Sequence, residues 1–479
     1  MTTLDTIRKE VASLERRFKP KLTVNSDLKR TLVSFQANKG EAEYRWFKYK
    51  EGFSASLIGH ILDTLGIAKG RILDPFAGSG AALFVASRRG LDAVGIELLP
   101  IGAEIIGARQ LFSGSKRRTI EEVLNRWRYE RPWSKENNVT PFPHLRITDG
   151  AFPEETQRQL GQYITALERE RDIDIRRVLR FAVLSVLEEI SYTRKDGQYL
   201  RWDHRSGRRQ GTRPFDKGPI RSFDSAILGK LAEIYIDLGT SDLFGSEKGE
   251  SGSIELLKGS CLQLLPRFDE ASFDCLITSP PYCNRYDYTR TYALELAMLG
   301  VGEAELRELR QALMSCTVEN RDKPNLELLF APELYQSAIH AFDSQSELQT
   351  ILRYLDEKKE KKELNNLGIP RMIRNYFFEI ALIIFECARV LKSGAPLVMV
   401  NDNVRYEGAN IPVDLILSSI AQEAGFEVET IWVLPNGKGN SSQQMGAHGR
   451  EETRKCVYIW RRSKAAQASQ RDQRAARVG

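Results

Sequence analysis

Long apolar runs are missing from this chain of 479 residues. No stretch approaches the eighteen or so consecutive apolar residues that a bilayer-spanning helix requires, so no membrane partner is expected. The opening Met1-Thr2-Thr3-Leu4-Asp5 lacks a charged-then-apolar leader, and a cytoplasmic location is the expectation. Paired cysteines are missing as well. The six present, at positions 261, 275, 283, 316, 387 and 456, show no Cys-x-x-Cys spacing, and several fall inside apolar runs. They read as reduced core residues, with no zinc site, other metal site or disulfide frame. There is no Gly-Lys-Ser/Thr of the kind that cradles phosphates, no carboxylate-lysine cluster of nuclease type and no recognisable RNA-binding module. Charge is scarce in sum, +6 overall, so what matters is where the cations collect.

What is present begins at Thr278-Ser279-Pro280-Pro281-Tyr282, directly after the apolar run Phe273-Asp274-Cys275-Leu276-Ile277. Two successive prolines fix φ and remove two backbone donors. Carbonyl acceptors are left beside the Ser279 hydroxyl, and Tyr282 offers a ring for stacking. Such a hook suits a planar amine, although alone it also describes a solvated loop with a packed tyrosine. Upstream, Ile72-Leu73-Asp74-Pro75-Phe76-Ala77-Gly78-Ser79-Gly80 reads as a strand ending in an acid, then a glycine turn, then a helix from Ala81 to Arg89. Glycines at 78 and 80 would let a ligand approach the backbone, or serve an ordinary tight turn. The next strand, Ala93-Val94-Gly95-Ile96-Glu97, ends in a carboxylate about twenty residues on, where doubly wound folds hold ribose hydroxyls. A nucleoside without a pyrophosphate fits best.

These segments resemble the amino-group-specific DNA methyltransferases that use S-adenosyl-L-methionine. In that family an Asp-Pro-Phe-x-Gly-Ser-Gly turn binds the methionine part of the cofactor, an acid ending the second strand binds its ribose, and an (Asp/Asn/Ser)-Pro-Pro-(Tyr/Phe) hook holds the target amine. The resemblance therefore implies cofactor contacts from Asp74, Pro75, Phe76, Ala77, Gly78, Ser79, Gly80 and Glu97, and catalysis by Ser279, Pro280, Pro281 and Tyr282. A family stretch before the first strand is matched by Phe47-Lys48-Tyr49-Lys50-Glu51-Gly52-Phe53-Ser54, adding Phe53 and Ser54 as cofactor residues, with a helix cap as the other reading of Ser54. Two positions depart from the pattern: Ala81 replaces a hydroxyl residue, and Lys258-Gly259-Ser260-Cys261 replaces Gly-Asp, leaving Ser260 to face the adenine amine. Serine at the first hook position implies cytosine N4 as the target, with adenine N6 as the alternative. Cys283 follows the tyrosine and reads as packing, not as a nucleophile.

From Arg194 to Arg221 nine cations stand against three acids, an excess of six that equals that of the whole chain. Aromatics are threaded among them. Arg194, Lys195, Tyr199, Arg201, Trp202, Arg205, Arg208 and Arg209 are candidates to lie on a phosphate backbone or stack on bases, against the plainer reading of a solvated basic loop. Arg285 and Arg290, just after the hook, are candidates to line a DNA cleft. Otherwise they belong to a helix start satisfied by its own carboxylates. The loop from Pro435 to Arg450, with His448, is either a DNA contact or a hairpin tip.

The expected fold class is α/β: a doubly wound, mostly parallel, seven-stranded Rossmann-like sheet with large helical insertions. Residues 1–110 would hold N-terminal helices and the first half of the core, 111–250 a helical insertion with the basic loop that reads DNA, and 251–300 the core with the hook. A second helical insertion follows at 301–365, the second half of the core at 366–461, and a disordered tail at 462–479. Strands are expected at Pro396 to Val400, Glu427 to Leu434 and Lys455 to Trp460, the last two as an antiparallel edge. Double-stranded DNA is the expected partner. Any nuclease would be a separate restriction or defence subunit. RNA base methylation and an inactive cofactor-sensing DNA-binding protein are the competing readings.

Overall fold

The computed structural model describes residues 2–29, 31–196, 200–210, 213–241, 251–435 and 453–464. Eight strands form one sheet: β1 (Leu22–Val24), β2 (Arg71–Asp74), β3 (Asp92–Glu97), β4 (Ile254–Lys258), β5 (Cys275–Thr278), β6 (Pro396–Asp402), β7 (Phe426–Val433) and β8 (Lys455–Arg462). Their order is β1-β7-β8-β6-β5-β2-β3-β4. All neighbours are parallel except β8, which runs antiparallel to both β7 and β6.

Burial on both faces explains why these strands read as apolar runs without alternation. Successive side chains still separate. Leu73, Leu276, Leu397 and Met399 pack with helices Leu4–Phe18, Ile369–Val390 and Val413–Glu423 on one face. Ile72, Cys275, Ile277, Val398 and Val400 pack with helices Ala55–Thr64 and Ala81–Arg88 on the other. A third core lies among helices Pro100–Phe112, Arg117–Glu130, Glu154–Arg169, Ile173–Ile190 and Phe223–Ser241. All six cysteines are buried and free, consistent with their reading as core residues. Among the described residues no helix is long and apolar enough to cross a membrane.

Three expectations need correction. The sheet has eight strands where seven were expected, because Leu22–Val24 pairs in parallel with Ile431–Val433 of β7. The β7-β8 pair is therefore not the edge of the sheet; β1 caps it with a strand of three residues, too short to offer a long open template for other chains. Nor does the structure loosen at 462: Arg462 is the last residue of β8, its backbone N–H bonded to Ala395, and Ser463 donates to the Gly425 carbonyl.

Candidate active site

In this strand order β2 is the switch point, with β3 on one side and β5 on the other, and open α/β sheets place their ligands at the C-terminal ends of such strands. Ile72 and Leu73 pair with Cys275 and Leu276, so the glycine turn after β2 and the hook after β5 leave the sheet side by side. A buried hydrogen bond joins them: Thr278 donates its hydroxyl proton to Asp74 Oδ1 at 2.7 Å. Asp74 also accepts from the Phe76 backbone N–H at 3.0 Å, which ties down the start of the turn. Burial pushes its carboxyl up to about 7, against the lowering effect of both bonds.

The turn and the hook open on one cleft, about 740 Å³ including the part open to solvent. Phe53, Pro75, Phe76, Ala77, Gly78, Ser79, Glu97, Ser260, Ser279 and Pro281 all line it. Glu97 accepts from the backbone N–H of Gly78 at 2.6 Å and of Leu99 at 2.7 Å. Two carboxylate oxygens with lone pairs to spare remain able to take the two hydroxyls of a ribose. Burial pushes the Glu97 carboxyl up to about 8, with those two N–H donors opposing and the nearby Asp74 charge adding to the rise. No Lys or Arg lines the cleft among the described residues; Glu51 and Glu97 are its acids. That donor set suits a ligand of net positive charge and does not suit a phosphate.

Other expected residues stand behind the cleft wall. Asp74 and Gly80 do not line it. Gly80 caps helix Ala81–Arg88 in the left-handed region (φ +79°), and a Cβ there would sit 2.8 Å from Ile106 Cγ1, so its close neighbour in the fold is a core side chain. Ser54 is corrected to its other reading: it caps helix Ala55–Thr64, accepting from Leu57 N–H at 3.1 Å and donating to the Leu32 carbonyl at 2.7 Å, and lies off the cleft. At the hook, Ser279 Oγ donates to Tyr282 Oη at 3.2 Å. Pro280 and Tyr282 lie off the cleft lining, and the aromatic face beyond the hook that does line it is Tyr288. Burial raises the Cys283 thiol well above its ordinary value, in keeping with a packing role.

Sequence reasoning missed several lining residues. Tyr49, Glu51 and Gly52 lie in the quoted stretch before the first strand but were not singled out. Ala312, Leu313 and Met314 come from the second insertion and reach the cleft with Ser260, whose hydroxyl donates to the Ala312 carbonyl at 3.1 Å; no local pattern signals a contact across fifty residues. Gly102 is also structural to the site. A Cβ there would lie 2.6 Å from the Gly78 carbonyl oxygen and 2.7 Å from Glu97 Cγ, so only glycine lets the helix after β3 close on the turn.

The basic segment is not one long loop. Thr193–Lys195 and Leu200–Trp202 pair as an antiparallel ribbon, and its alternation sends Arg194 outward and Lys195 inward. Lys195 is buried, 2.5 Å from Glu295 and over the Tyr292 and Phe47 rings, so its expected nucleic-acid contact is corrected to a core ion pair. Arg205 grips Asp203 with two bonds at 2.7 and 2.9 Å and the Gly218 carbonyl at 2.6 Å. Asp203, His204 and Asp216 approach one another as a metal site would, but Asp203 is occupied by that guanidinium. Arg208 lies 3.5 Å above the Trp202 ring and donates to the Asp149 carbonyl, while Arg201 covers Phe215 at 4.1 Å. Arg194 and Arg209 are exposed; Tyr199 falls outside the described residues. Arg290 pairs with Asp287 at 3.2 Å and Glu319 at 3.0 Å, as the helix-start reading holds, and Arg285 reaches Asn365 at 3.4 Å. His448 and its loop beyond Pro435 lie outside the described residues.

Among known proteins, the type II methyltransferase M.AvaI of Nostoc sp., and that of Anabaena variabilis, is 53% identical over 454 residues, covering 94% of this chain and 92% of the relative. The chain belongs to the type II methyltransferases. M.BsoBI of Geobacillus stearothermophilus, another type II methyltransferase, is 40% identical over 452 residues, 90% of this chain and 88% of its own length. No family model matches. The similarity to this methyltransferase and to both M.AvaI relatives runs through the sheet, the cleft and the insertions alike, since it spans nine-tenths of the chain.

Proposed function

We propose that this methyltransferase transfers a methyl group from S-adenosyl-L-methionine to the exocyclic N4 amine of cytosine at specific sites in double-stranded DNA, as the modification arm of a restriction-modification pair whose nuclease is a separate chain. The observation that carries the reading is the single cleft shared by the glycine turn and the Ser279 hook, locked together through Thr278 and Asp74. The names of the relatives support methyl transfer. Serine at the first hook position supports cytosine.

When bound, the cofactor supplies a methyl group already activated by a positively charged sulfur. The remaining work falls to the chain. A base amine is a poor nucleophile because its lone pair is delocalised into the ring, so the site must localise that pair and aim it. Ser279 gives its proton to Tyr282, which leaves its lone pairs facing the cleft to accept one amine N–H. The Pro280 carbonyl, just off the cleft lining, is the acceptor the hook sequence offers for the other. Held by both, the nitrogen lone pair is drawn out of the ring and would be aimed at the methyl carbon of the bound donor; the N–C bond would form as the S–C bond breaks, and the amine would give up one of its hydrogens as a proton to water. A duplex buries its amines, so the base is turned out of the stack, and Tyr288 joins Tyr282 as an aromatic surface beside the hook. Glu97 and the backbone of the glycine turn orient the nucleoside end.

Expression in a host without DNA methylation, followed by genome-wide mapping of modified bases, tests the reading. N4-methylcytosine at one short sequence is expected. Modified adenines would move the target to N6. Ser279→Ala should lower the rate by about 100-fold or more with the melting temperature unchanged; full modification by that variant would remove the hook from the mechanism.

A further inference from the structure

Glu51 lines the cleft but has no part in the steps above. Its two oxygens are held by separate donors, Oε1 by the Tyr286 hydroxyl and Oε2 by the Tyr292 hydroxyl. Tyr292 in turn stacks on Tyr49, ring centroids 5.1 Å apart and 14° from parallel, so the carboxylate is fixed from two sides. Nearby cations are already engaged: Lys195 with Glu295, and Lys50 with the Lys195 carbonyl. Each Glu51 oxygen keeps a lone pair for a further donor.

Its position is specific. The next residue, Gly52, has Ser79 Oγ of the glycine turn 3.7 Å from where a Cβ would be, and the Tyr49 ring lies 3.1 Å from the same point on Gly78. Tyr286 and Tyr292 follow the hook in the chain. Glu51 therefore stands between turn and hook, away from the ribose position at Glu97. That interval is open to the amino-acid branch of a methyl donor bound in the same cleft. The branch carries an ammonium, and an ammonium taken out of water needs an acid beside it.

We propose that Glu51 is the partner of the α-ammonium group of S-adenosyl-L-methionine and so selects ligands that carry the amino-acid branch. This rests on the reading of the cleft given above. Burial pushes the Glu51 carboxyl up to about 7, against the lowering effect of the Tyr292 hydroxyl and the Lys195 and Lys50 charges, so its ionisation responds to a further cation placed beside it.

The test is calorimetric titration of the full chain and of Glu51→Gln with S-adenosyl-L-methionine, S-adenosylhomocysteine and 5′-methylthioadenosine. The last keeps adenine, ribose and sulfur but lacks the amino acid. Glu51→Gln should weaken the first two by about 10- to 100-fold, the effect of losing a charged hydrogen bond, and leave 5′-methylthioadenosine within about twofold. Retained 5′-methylthioadenosine binding also reports an intact cleft. Tyr286→Phe, which removes one donor to Glu51 from outside the cleft lining, should show the same selectivity at smaller size. Equal losses for all three ligands, or unchanged affinity with only the turnover rate reduced, would overturn the assignment. Failure of the unaltered chain to bind any of them would instead refute the cleft as a cofactor site.

Discussion

The cleft at the ends of β2, β3 and β5 and the basic segment from Arg194 to Arg221 are both dense in polar side chains, and the fold disposes of them in opposite ways. In the cleft, Glu97 and Glu51 are held by backbone N–H donors and tyrosine hydroxyls, and each keeps lone pairs to spare. In the basic segment, cations find partners close at hand: Asp203 for Arg205, Glu295 for Lys195, Glu189 for Arg221 and the Ser191 carbonyl for Lys217. A long cationic side chain reaches several ångströms and gains from any nearby carboxylate or ring, so a count of charges overstates the surface left for DNA. Short acids at strand ends have no such reach. Where they stand is where they act.

The sharpest way to break this contrast is Lys195→Ala. If Lys195 belongs to the core, its removal leaves Glu295 buried without a counter-charge and costs about 3–5 kcal/mol of stability. Chemical denaturation should show the loss, with DNA affinity of the remaining folded protein unchanged. A stable variant with weakened DNA binding would return Lys195 to the surface role expected of it from sequence.

That outcome bears on what the chain disclosed before its structure was known. The sheet was legible because strands buried on both faces are apolar throughout, and the turn and hook because their geometry depends on residues close in sequence. Gly78, Glu97 and Ser279 fell where short-range chemistry required. Asp74 and Ser54 have structural partners that their motifs do not disclose: one braces the turn from behind and the other caps a helix. Lys195 was misjudged because its direction depends on a three-residue strand whose pairing no local pattern fixes. The reach of Ala312 to Met314 into the cleft, and the fit of Gly102 against Gly78, are tertiary facts without a sequence signature.

A pH titration separates the two regions by sign. Burial raises Asp74 and Glu51 to about 7 and Glu97 to about 8. Between the ordinary carboxylate value near 4 and about 8, the folded chain keeps protons that the unfolded chain has lost, so these groups make stability fall as pH rises through that window. Asp203 behaves in reverse. The Arg205 guanidinium holds it well below the usual range, so its contribution is complete above about pH 4 and is lost only as pH falls through that depressed value. Without cofactor, the melting temperature should drop by several degrees from pH 5 to pH 8, and Glu97→Gln should flatten the drop. A rise over that interval in the unaltered protein would mean that the cleft acids are ionised and solvated.

The smallest expected effect decides whether the basic segment touches DNA at all. Arg209 is exposed in the segment that follows the ribbon, next in the chain to Arg208, which stacks on Trp202. A surface cation that meets a phosphate releases about one counterion on binding, and its removal weakens affinity evenly across sequences. Arg209→Ala should therefore leave the melting temperature within about 1 °C and lower the slope of log affinity against log salt by about 1. Arg205→Ala, by contrast, removes a cation committed to Asp203 and should cost stability first. If both variants bind duplex DNA with an unchanged salt slope, the phosphate contacts lie elsewhere, and the segment serves to brace the insertion against the cleft through Lys195 and Glu295.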